Sequence, residues 1–357
     1  MPDRGSVSPD RPRVALLCGG RSAEREISLT GGDKVRAALD AGRYEVRVYD
    51  PATDLARLVA DAPHIDCALI ILHGRLGEDG SIQGLLDLLD IPYQCSGVLG
   101  SATAMNKACA KALYRQAGLP VAKDVVLERG GQGQVAAVMK AVGLPAVIKP
   151  AKEGSSIGLS IARGPDELER AVDLAFSYDD TLVVEEYLAG REITAGVLEY
   201  DDGLRAMPIV EIIPGAEYGF FNFEAKYQPG ATREVCPAAI GEDLTRAAQD
   251  LAISAHRALS CEGYSRTDMI IDEKGGIFLL ETNTIPGMTP TSLFPQAAAR
   301  AGLSFSALLD HFIARAMKRK ARRQGRQPDS PAPVNPGDNQ TVHMATGRGC
   351  GPPSFKR

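Results

Sequence analysis

Thr267-Asp-Met-Ile-Ile-Asp-Glu-Lys-Gly-Gly-Ile-Phe-Leu-Leu-Glu-Thr-Asn283 reads as two strands folded back on each other. Thr267 to Ile271 and Ile277 to Glu281 have strand composition, and Asp272 to Gly276 supplies the polar and glycine residues of a tight turn. With the turn centred between Lys274 and Gly275, Asp268 lies directly across from Glu281. Side chains alternate faces along a strand, so Asn283 shares the face of Glu281. Two carboxylates and an amide oxygen then converge on one patch. Hard oxygen donors of this kind suit magnesium, which is held by one or two carboxylates plus phosphate oxygens. A solvated ribbon face is the alternative, but Met269, Ile271, Phe278 and Leu280 mark a core strand pair. A one-residue slip of the turn would break the alignment.

Upstream, strands alternate with helices. Arg13 to Cys18, Tyr44 to Tyr49 and Cys67 to Leu72 are strand-like, with helical patterns over Ile27 to Leu39 and Ser81 to Leu89. Such alternation implies a parallel sheet, with functional loops at the carboxyl ends of its strands. Glu24 and His73 fall in two of those loops. A helix is expected from a cap at Ser101 to Gly118-Leu-Pro120. A compact second region follows: strands near Val125 to Leu127, Ala146 to Lys149 and Leu182 to Leu188, with helices ending at Val142 and Phe176. A third has strands over Glu192 to Leu198 and Met207 to Ile213, a helix over Asp243 to Leu259, and the hairpin. The fold class is α/β with α+β lobes.

Lys149 ends an apolar strand and precedes Glu153-Gly-Ser-Ser-Ile-Gly158. Backbone N–H groups of a small-residue loop can cradle phosphate oxygens beside a lysine charge. No G-x-x-x-x-G-K-[ST] motif occurs, so this is not a P-loop. Gly131-Gln-Gly-Gln-Val-Ala136 matches the G-x-G-x-x-A dinucleotide pattern, but a lone match carries little weight. Taken singly, His73 is as well read as a loop histidine, and Glu24, among Arg21, Arg25 and Glu26, as a surface ion pair.

Composition narrows the class. The chain is 44% hydrophobic and 24% charged, ordinary for a globular protein of two or three lobes at 357 residues. No run of ~18 uncharged apolar residues is present, which argues against membrane insertion. Met1 to Pro12 is polar and proline-rich without a signal-like apolar stretch, so it reads as a disordered lead-in and the expected location is cytoplasmic. Seven cysteines form no Cys-x-x-Cys pair, against both a disulfide framework and a zinc site. From Arg315 onward ten Lys or Arg face two Asp, a net +8 that leaves −13 on the preceding residues. The acidic body is no nucleic-acid surface. The basic end, from about Lys318, reads as a solvated appendage.

Seven segments occur in order: Gly19-Gly-Arg-Ser-Ala-Glu-Arg-Glu-Ile-Ser28, Leu72-His-Gly-Arg-Leu-Gly-Glu-Asp-Gly80, Met105-Asn-Lys107, Val147-Ile-Lys-Pro150, Glu153-Gly-Ser-Ser-Ile-Gly158, Glu224-Ala-Lys-Tyr227 and Glu281-Thr-Asn-Thr-Ile-Pro-Gly-Met-Thr289. The series resembles the D-alanine–D-alanine ligases, over about Arg13 to Ala316. The resemblance implies an ATP-grasp fold: an N-terminal Rossmann-like substrate lobe (13–106), a central lobe (107–191) and a C-terminal metal lobe (192–317). It also implies ATP as a substrate, two Mg2+ or Mn2+ ions, D-alanine as the amino acid and a homodimer. Lys107, Lys149 and Ser156 would contact the phosphates, with Lys226 at the γ-phosphate. Glu185, Glu186, Leu188 and Glu192 would line the adenine and ribose site. Asp268, Glu281 and Asn283 would hold the metal. Glu24 would hold the first D-alanine's ammonium, linked to Ser155 and Tyr227, with His73 beside it. Arg266 and the Gly287 N–H would face the oxyanion, and Ser292 the second D-alanine's carboxylate. Phe220 to Gln228 would form a lid.

Two departures touch none of the reacting atoms: Asn106 stands where relatives often carry Asp, and Glu186 where some carry Lys. Tyr227 stands where D-lactate-using relatives carry Phe or His, which favours an amine nucleophile. The competing expectations are a same-fold ligase taking D-serine or D-lactate second, and a non-catalytic nucleotide-binding homologue.

Overall fold

In the computed structural model, residues 11–215 and 230–324 are described, with side chains up to Arg319. All that follows concerns the unit that ends at Lys320. The expected lid, with Lys226 and Tyr227, lies outside the described residues.

Strands β1 (Arg13–Leu17), β2 (Glu45–Tyr49) and β3 (Cys67–Ile70) form a parallel sheet in the order β2-β1-β3. The apolar runs Val14 to Leu17 and Cys67 to Ile70 are buried throughout, as a strand covered on both faces requires. Helix α1 (Arg25–Ala38) joins β1 to β2, and α2 (Leu55–Asp61) leads toward β3. Glycines let α1 approach closely: a Cβ at Gly32 would fall 2.6 Å from Cys18 Sγ. The start of α1 is thereby held against the carboxyl ends of β1 and β3.

After α3 (Ser81–Leu88), the single helix expected from Ser101 to Gly118 is two: α4 (Val98–Met105) and α5 (Lys107–Gln116). Asn106 leaves the helical region (ψ 101°), and its side chain accepts the Cys109 N–H at 3.2 Å. It is the N-cap of α5, a role Asp would fill equally well.

The second sheet is antiparallel, in the order β4-β7-β5-β6: β4 (Asp124–Glu128), β5 (Ala146–Pro150), β6 (Ser160–Ala162) and β7 (Thr181–Glu186). Helices α6 (Gln134–Ala141) and α7 (Pro165–Phe176) bury Val138, Leu168 and Val172 against its Leu127, Ile148 and Val184. The third sheet contains β8 (Gly190–Tyr200), β9 (Gly203–Ala206), β10 (Val210–Pro214), β11 (Thr232–Val235), β12 (Tyr264–Asp272) and β13 (Ile277–Asn283). Its order is β11-β10-β8-β12-β13, with β9 also on β8. Helix α8 (Glu242–Ala258) presents the small stripe Ala248, Ala252 and Ala255 to a core with Ile193, Met269 and Leu279. Helices α9 (Leu293–Arg300) and α10 (Phe305–Gln324) share one apolar core with the parallel sheet. Arg319 reinforces that junction, donating to the carbonyls of Tyr93 at 3.1 Å and Cys95 at 2.7 Å.

Candidate active site

The hairpin turn is tighter than expected. Asp272 N–H donates to Gly276 O at 2.8 Å and Gly275 N–H to Asp272 O at 3.0 Å, while Gly275 takes φ +82°. This is a three-residue turn centred on Lys274, closed by a left-handed glycine. It pairs Ile271 with Ile277 and Met269 with Leu279, one residue off the expected register. Asp268 nevertheless faces Glu281, because the register shifts between Asp268 and Met269. The bulge also decides which way Glu281 points. Strict alternation would place it with Ile277 and Leu279, which are buried in the core. The extra residue turns Leu280 and Glu281 both to the outer face. The expectation that Phe278 and Leu280 belong to the core is therefore corrected: Ile277 and Leu279 take those places.

Arg266, Asp268 and Ile270 share the outer face of β12. The Arg266 guanidinium grips Asp268 with two bonds, Nε to Oδ1 at 2.8 Å and Nη2 to Oδ2 at 2.7 Å. Thr194 Oγ1 donates to Asp268 Oδ1 at 2.5 Å, and Asn283 Nδ2 approaches Oδ2 at 3.3 Å. Lys107 Nζ stands 3.5 Å from Glu281 Oε2. Asp268, Glu281 and Asn283 are thus gathered on one patch.

Two clefts meet there. The first lies between the two antiparallel sheets. Val147 and Ile161 on one side and Ile270 and Leu280 on the other line a slot whose apolar walls suit a planar ring. The expected nucleotide contacts Lys107, Lys149, Ser156, Glu185, Glu186, Leu188 and Glu192 all line it, together with Asp268 and Glu281. The buried Glu185 carboxylate lies 2.8 Å from Lys149 Nζ. Burial alone would raise its pKa, but Lys149 and Lys111 outweigh that and hold it below the usual range. Lys107 Nζ donates to Glu153 O at 2.6 Å, fixing the loop that carries Ser155 and Ser156. Those two serines take φ +48° and +60°, a left-handed conformation that strains non-glycine residues by ~1–3 kcal/mol each.

The second cleft lies on the other side of Glu281, which lines both. Here the structure collects Glu24, His73, Ser155, Arg266, Asn283, Gly287 and Ser292. Glu24 immediately precedes α1, and Ser155 Oγ donates to its Oε1. His73 Nδ1 lies 3.2 Å from Glu78 Oε1. Burial disfavours its cation, but the Glu78 carboxylate, then Glu24, prevail and raise its pKa. Ser292 caps its own loop, accepting the Thr289 N–H at 3.1 Å, and a Cβ on Gly287 would lie 3.1 Å from its Oγ.

Gly154 closes over the Glu24 carboxylate: an added Cβ would lie 2.9 Å from Oε2. Gly154→Ala is expected to raise KM for the second cleft's substrate about tenfold by pushing that carboxylate aside, with KM for the slot's ligand little changed. Steady-state titration of each substrate checks this, and an equal rise in both would contradict it.

The Gly131 to Ala136 segment borders neither cleft; it leads into α6 on an exposed stretch. Three contributors were not singled out from sequence. Lys111 follows Lys107 by four positions on one helix face, a spacing that could have drawn notice. Glu78 follows His73 by five within the same glycine-rich loop. Thr194 carried no signal. Among the described residues no three of His, Cys, Asp and Glu gather as a metal cluster. Two carboxylates with an amide leave the remaining positions to substrate oxygens, which fits magnesium or manganese and not a closed structural site.

A parallel three-stranded lobe beside two antiparallel sheets that close on one slot is the ATP-grasp architecture. Family models described as "D-ala D-ala ligase C-terminus" and "D-ala D-ala ligase N-terminus" match residues 113–314 and 51–96. A D-alanine–D-alanine ligase of Syntrophobacter fumaroxidans is 59% identical over 312 residues, 87% of this chain and 100% of that protein. The chain belongs to the D-alanine–D-alanine ligase family. Among solved structures, the Bacillus anthracis D-alanine–D-alanine ligase complexed with ATP has TM-score 0.75 and 30% identity, covering 87% of this chain and 99% of that one. The VanG D-Ala:D-Ser ligase of Enterococcus faecalis has TM-score 0.74 and 29% identity, covering 85% and 99%. No described helix is long and apolar enough to cross a membrane.

Proposed function

We propose that this chain joins two D-alanine molecules into D-alanyl-D-alanine, using ATP to form a D-alanyl phosphate. The observation that carries the reading is that the slot and the second cleft share one wall, Glu281, flanked by Asp268 and Asn283. A phosphoryl group at the end of a nucleotide in the slot would therefore meet a carboxylate held in the second cleft.

Each residue has work that its position supports. The apolar walls take the adenine, with Glu185, Glu186, Leu188 and Glu192 at its rim. Lys107, Lys149 and Ser156 hold the phosphates. Glu24, steadied by Ser155 and with His73 nearby, holds the first D-alanine by its ammonium. Its carboxylate oxygen attacks the γ-phosphorus and ADP departs. The amine of the second D-alanine, oriented through its carboxylate by Ser292, then attacks the acyl carbon. Arg266 and the Gly287 N–H stabilise the oxyanion of the tetrahedral intermediate. Collapse expels phosphate and forms the amide, and the proton the amine gives up leaves on the expelled phosphate. Asp268, Glu281 and Asn283 would hold magnesium or manganese, which when bound neutralises charge on the transferring phosphoryl group. Lys226 and Tyr227 take the γ-phosphate and lid roles that the family motif gives them. The family likeness supports a homodimer, and the use of ATP supports a cytoplasmic location.

The test is phosphate release over a panel of D-amino and D-hydroxy acids, with products identified by mass. D-alanyl-D-alanine as the main product is expected. Preference for D-lactate or D-serine would overturn the substrate assignment, and nucleotide binding without turnover would favour a non-catalytic homologue.

A further inference from the structure

Lys111 has no place in the chemistry above, yet its side chain is only 1% exposed. It leaves the same face of α5 as Lys107, one turn on. Lys107 lines the nucleotide slot, whereas Lys111 lies behind it, outside the lining. Its Nζ is 2.7 Å from Glu185 Oε1 and 3.4 Å from Asp124 Oδ1. Arg115 also pairs with Asp124. The other oxygen of Glu185, Oε2, is taken by Lys149 from the slot side at 2.8 Å. One buried carboxylate is thus held between two ammonium groups, one fixed behind it and one at the ligand surface. Burial pushes the Lys111 pKa down to about 8, with Glu185 opposing that fall.

This arrangement answers a problem the phosphate role of Lys149 creates. A phosphate oxygen that draws Lys149 toward it competes with Glu185 Oε2 for that ammonium's charge. A buried carboxylate stripped of its only counter-charge is strongly destabilised, so a lone Lys149–Glu185 pair would resist opening. A second ammonium on the other oxygen lowers that resistance.

We propose that Lys111 is a positioning residue: its ammonium stays on Glu185 Oε1 and keeps that carboxylate compensated while Lys149 exchanges Glu185 for the nucleotide phosphates. The inference rests on the reading of the slot as a nucleotide site, and predicts a loss at the phosphate end well above any at the adenine rim that Glu185 also lines.

The experiment measures binding of Mg-ADP and of adenosine to the full chain, as wild type and variants. Lys111→Met is expected to weaken Mg-ADP at least about tenfold and adenosine less than about twofold. Lys111→Arg, which keeps the charge, should stay within about threefold of wild type for both. In a Lys149→Met background, Lys111→Met should add no further loss of Mg-ADP binding, because it acts through Lys149. Equal weakening of both ligands, or additive losses, would show that Lys111 merely shapes the fold and would overturn the proposal. Should Lys111→Met not fold, Lys111→Gln keeps a neutral donor for Glu185 Oε1 and should still weaken Mg-ADP about tenfold. Mg-ADP binding by Lys111→Gln within about threefold of wild type would refute the charge compensation. Wild-type protein that fails to bind Mg-ADP would instead refute the nucleotide reading itself.

Discussion

Glu281→Gln is expected to lower kcat by about 10³-fold or more while the chain still folds. The substitution preserves shape and removes one charge at the point where the two clefts meet. Glu281 is placed there by the bulge in β13, a backbone feature that its side chain does not create. The paired neighbours Thr267, Thr282, Met269 and Leu279 are untouched, so thermal unfolding should shift by no more than a few degrees. Lys107, 3.5 Å away, loses a charged neighbour but keeps its bond to Glu153 O. What disappears is one of two carboxylates able to hold a divalent ion against the phosphates. Phosphate release and D-alanyl-D-alanine formation, measured at saturating ATP and D-alanine, report the effect. A variant retaining more than about a tenth of wild-type turnover would remove Glu281 from the reaction centre.

The sequence made the site patch legible for a reason that proved only half complete. Asp268 does oppose Glu281, but two irregularities compensate to bring this about: a turn one residue tighter and a bulge one residue longer. Asp272 to Gly276 fits either turn, since Gly275 and Gly276 both tolerate positive φ, and a period-two pattern cannot reveal a single extra residue. The mixed run Ile277 to Asn283 does carry a trace of it. Leu279 and Leu280 are adjacent aliphatics, and only one can face the core. The placement of Glu24 and His73 after strand ends was readable because the buried runs Val14 to Leu17 and Cys67 to Ile70 are uniformly apolar and soon give way to glycine and polar residues. The break between α4 and α5 was not, because one Asn costs a helix little and caps the next one well. Lys111 and Glu185 lie 74 positions apart, and no spacing rule joins residues from different elements over that distance.

The three-layer logic of the site follows from where each element ends. Strand β1 and α1 deliver Glu24, the loop after β3 delivers His73, and the strained serine loop after β5 reaches across to both clefts. Hydrogen bonds hold that loop at two points, Lys107 to Glu153 O and Ser155 to Glu24. One segment therefore borders both the proposed nucleotide slot and the proposed amino-acid cleft. Gly154, between those two points, is where an added methyl group would meet Glu24.

Arg266→Met is expected to lower kcat about 10²–10³-fold and, separately, to destabilise the ligand-free chain by ~3 kcal/mol. The two effects have different origins. Arg266 lines the second cleft and supplies a fixed cation to the oxyanion proposed to form there. The same guanidinium makes both fork bonds to Asp268, whose side chain is 7% exposed. Its loss leaves a buried carboxylate with Thr194 and Asn283 as its side-chain donors among the described residues. Each Asp268 oxygen already accepts two donors, so a metal ion facing it would replace the long 3.3 Å contact from Asn283 and leave the arginine fork in place. A divalent ion at that patch would restore the missing positive charge for stability but not the oxyanion donor. Mg-ATP should consequently raise the melting temperature of Arg266→Met by more than it raises that of wild type, without rescuing turnover. Arg266→Lys should fail similarly in turnover, because a point charge cannot reproduce the fork. Equal thermal shifts in wild type and variant would separate Asp268 from the metal, and near-normal kcat in either variant would take Arg266 out of the oxyanion site.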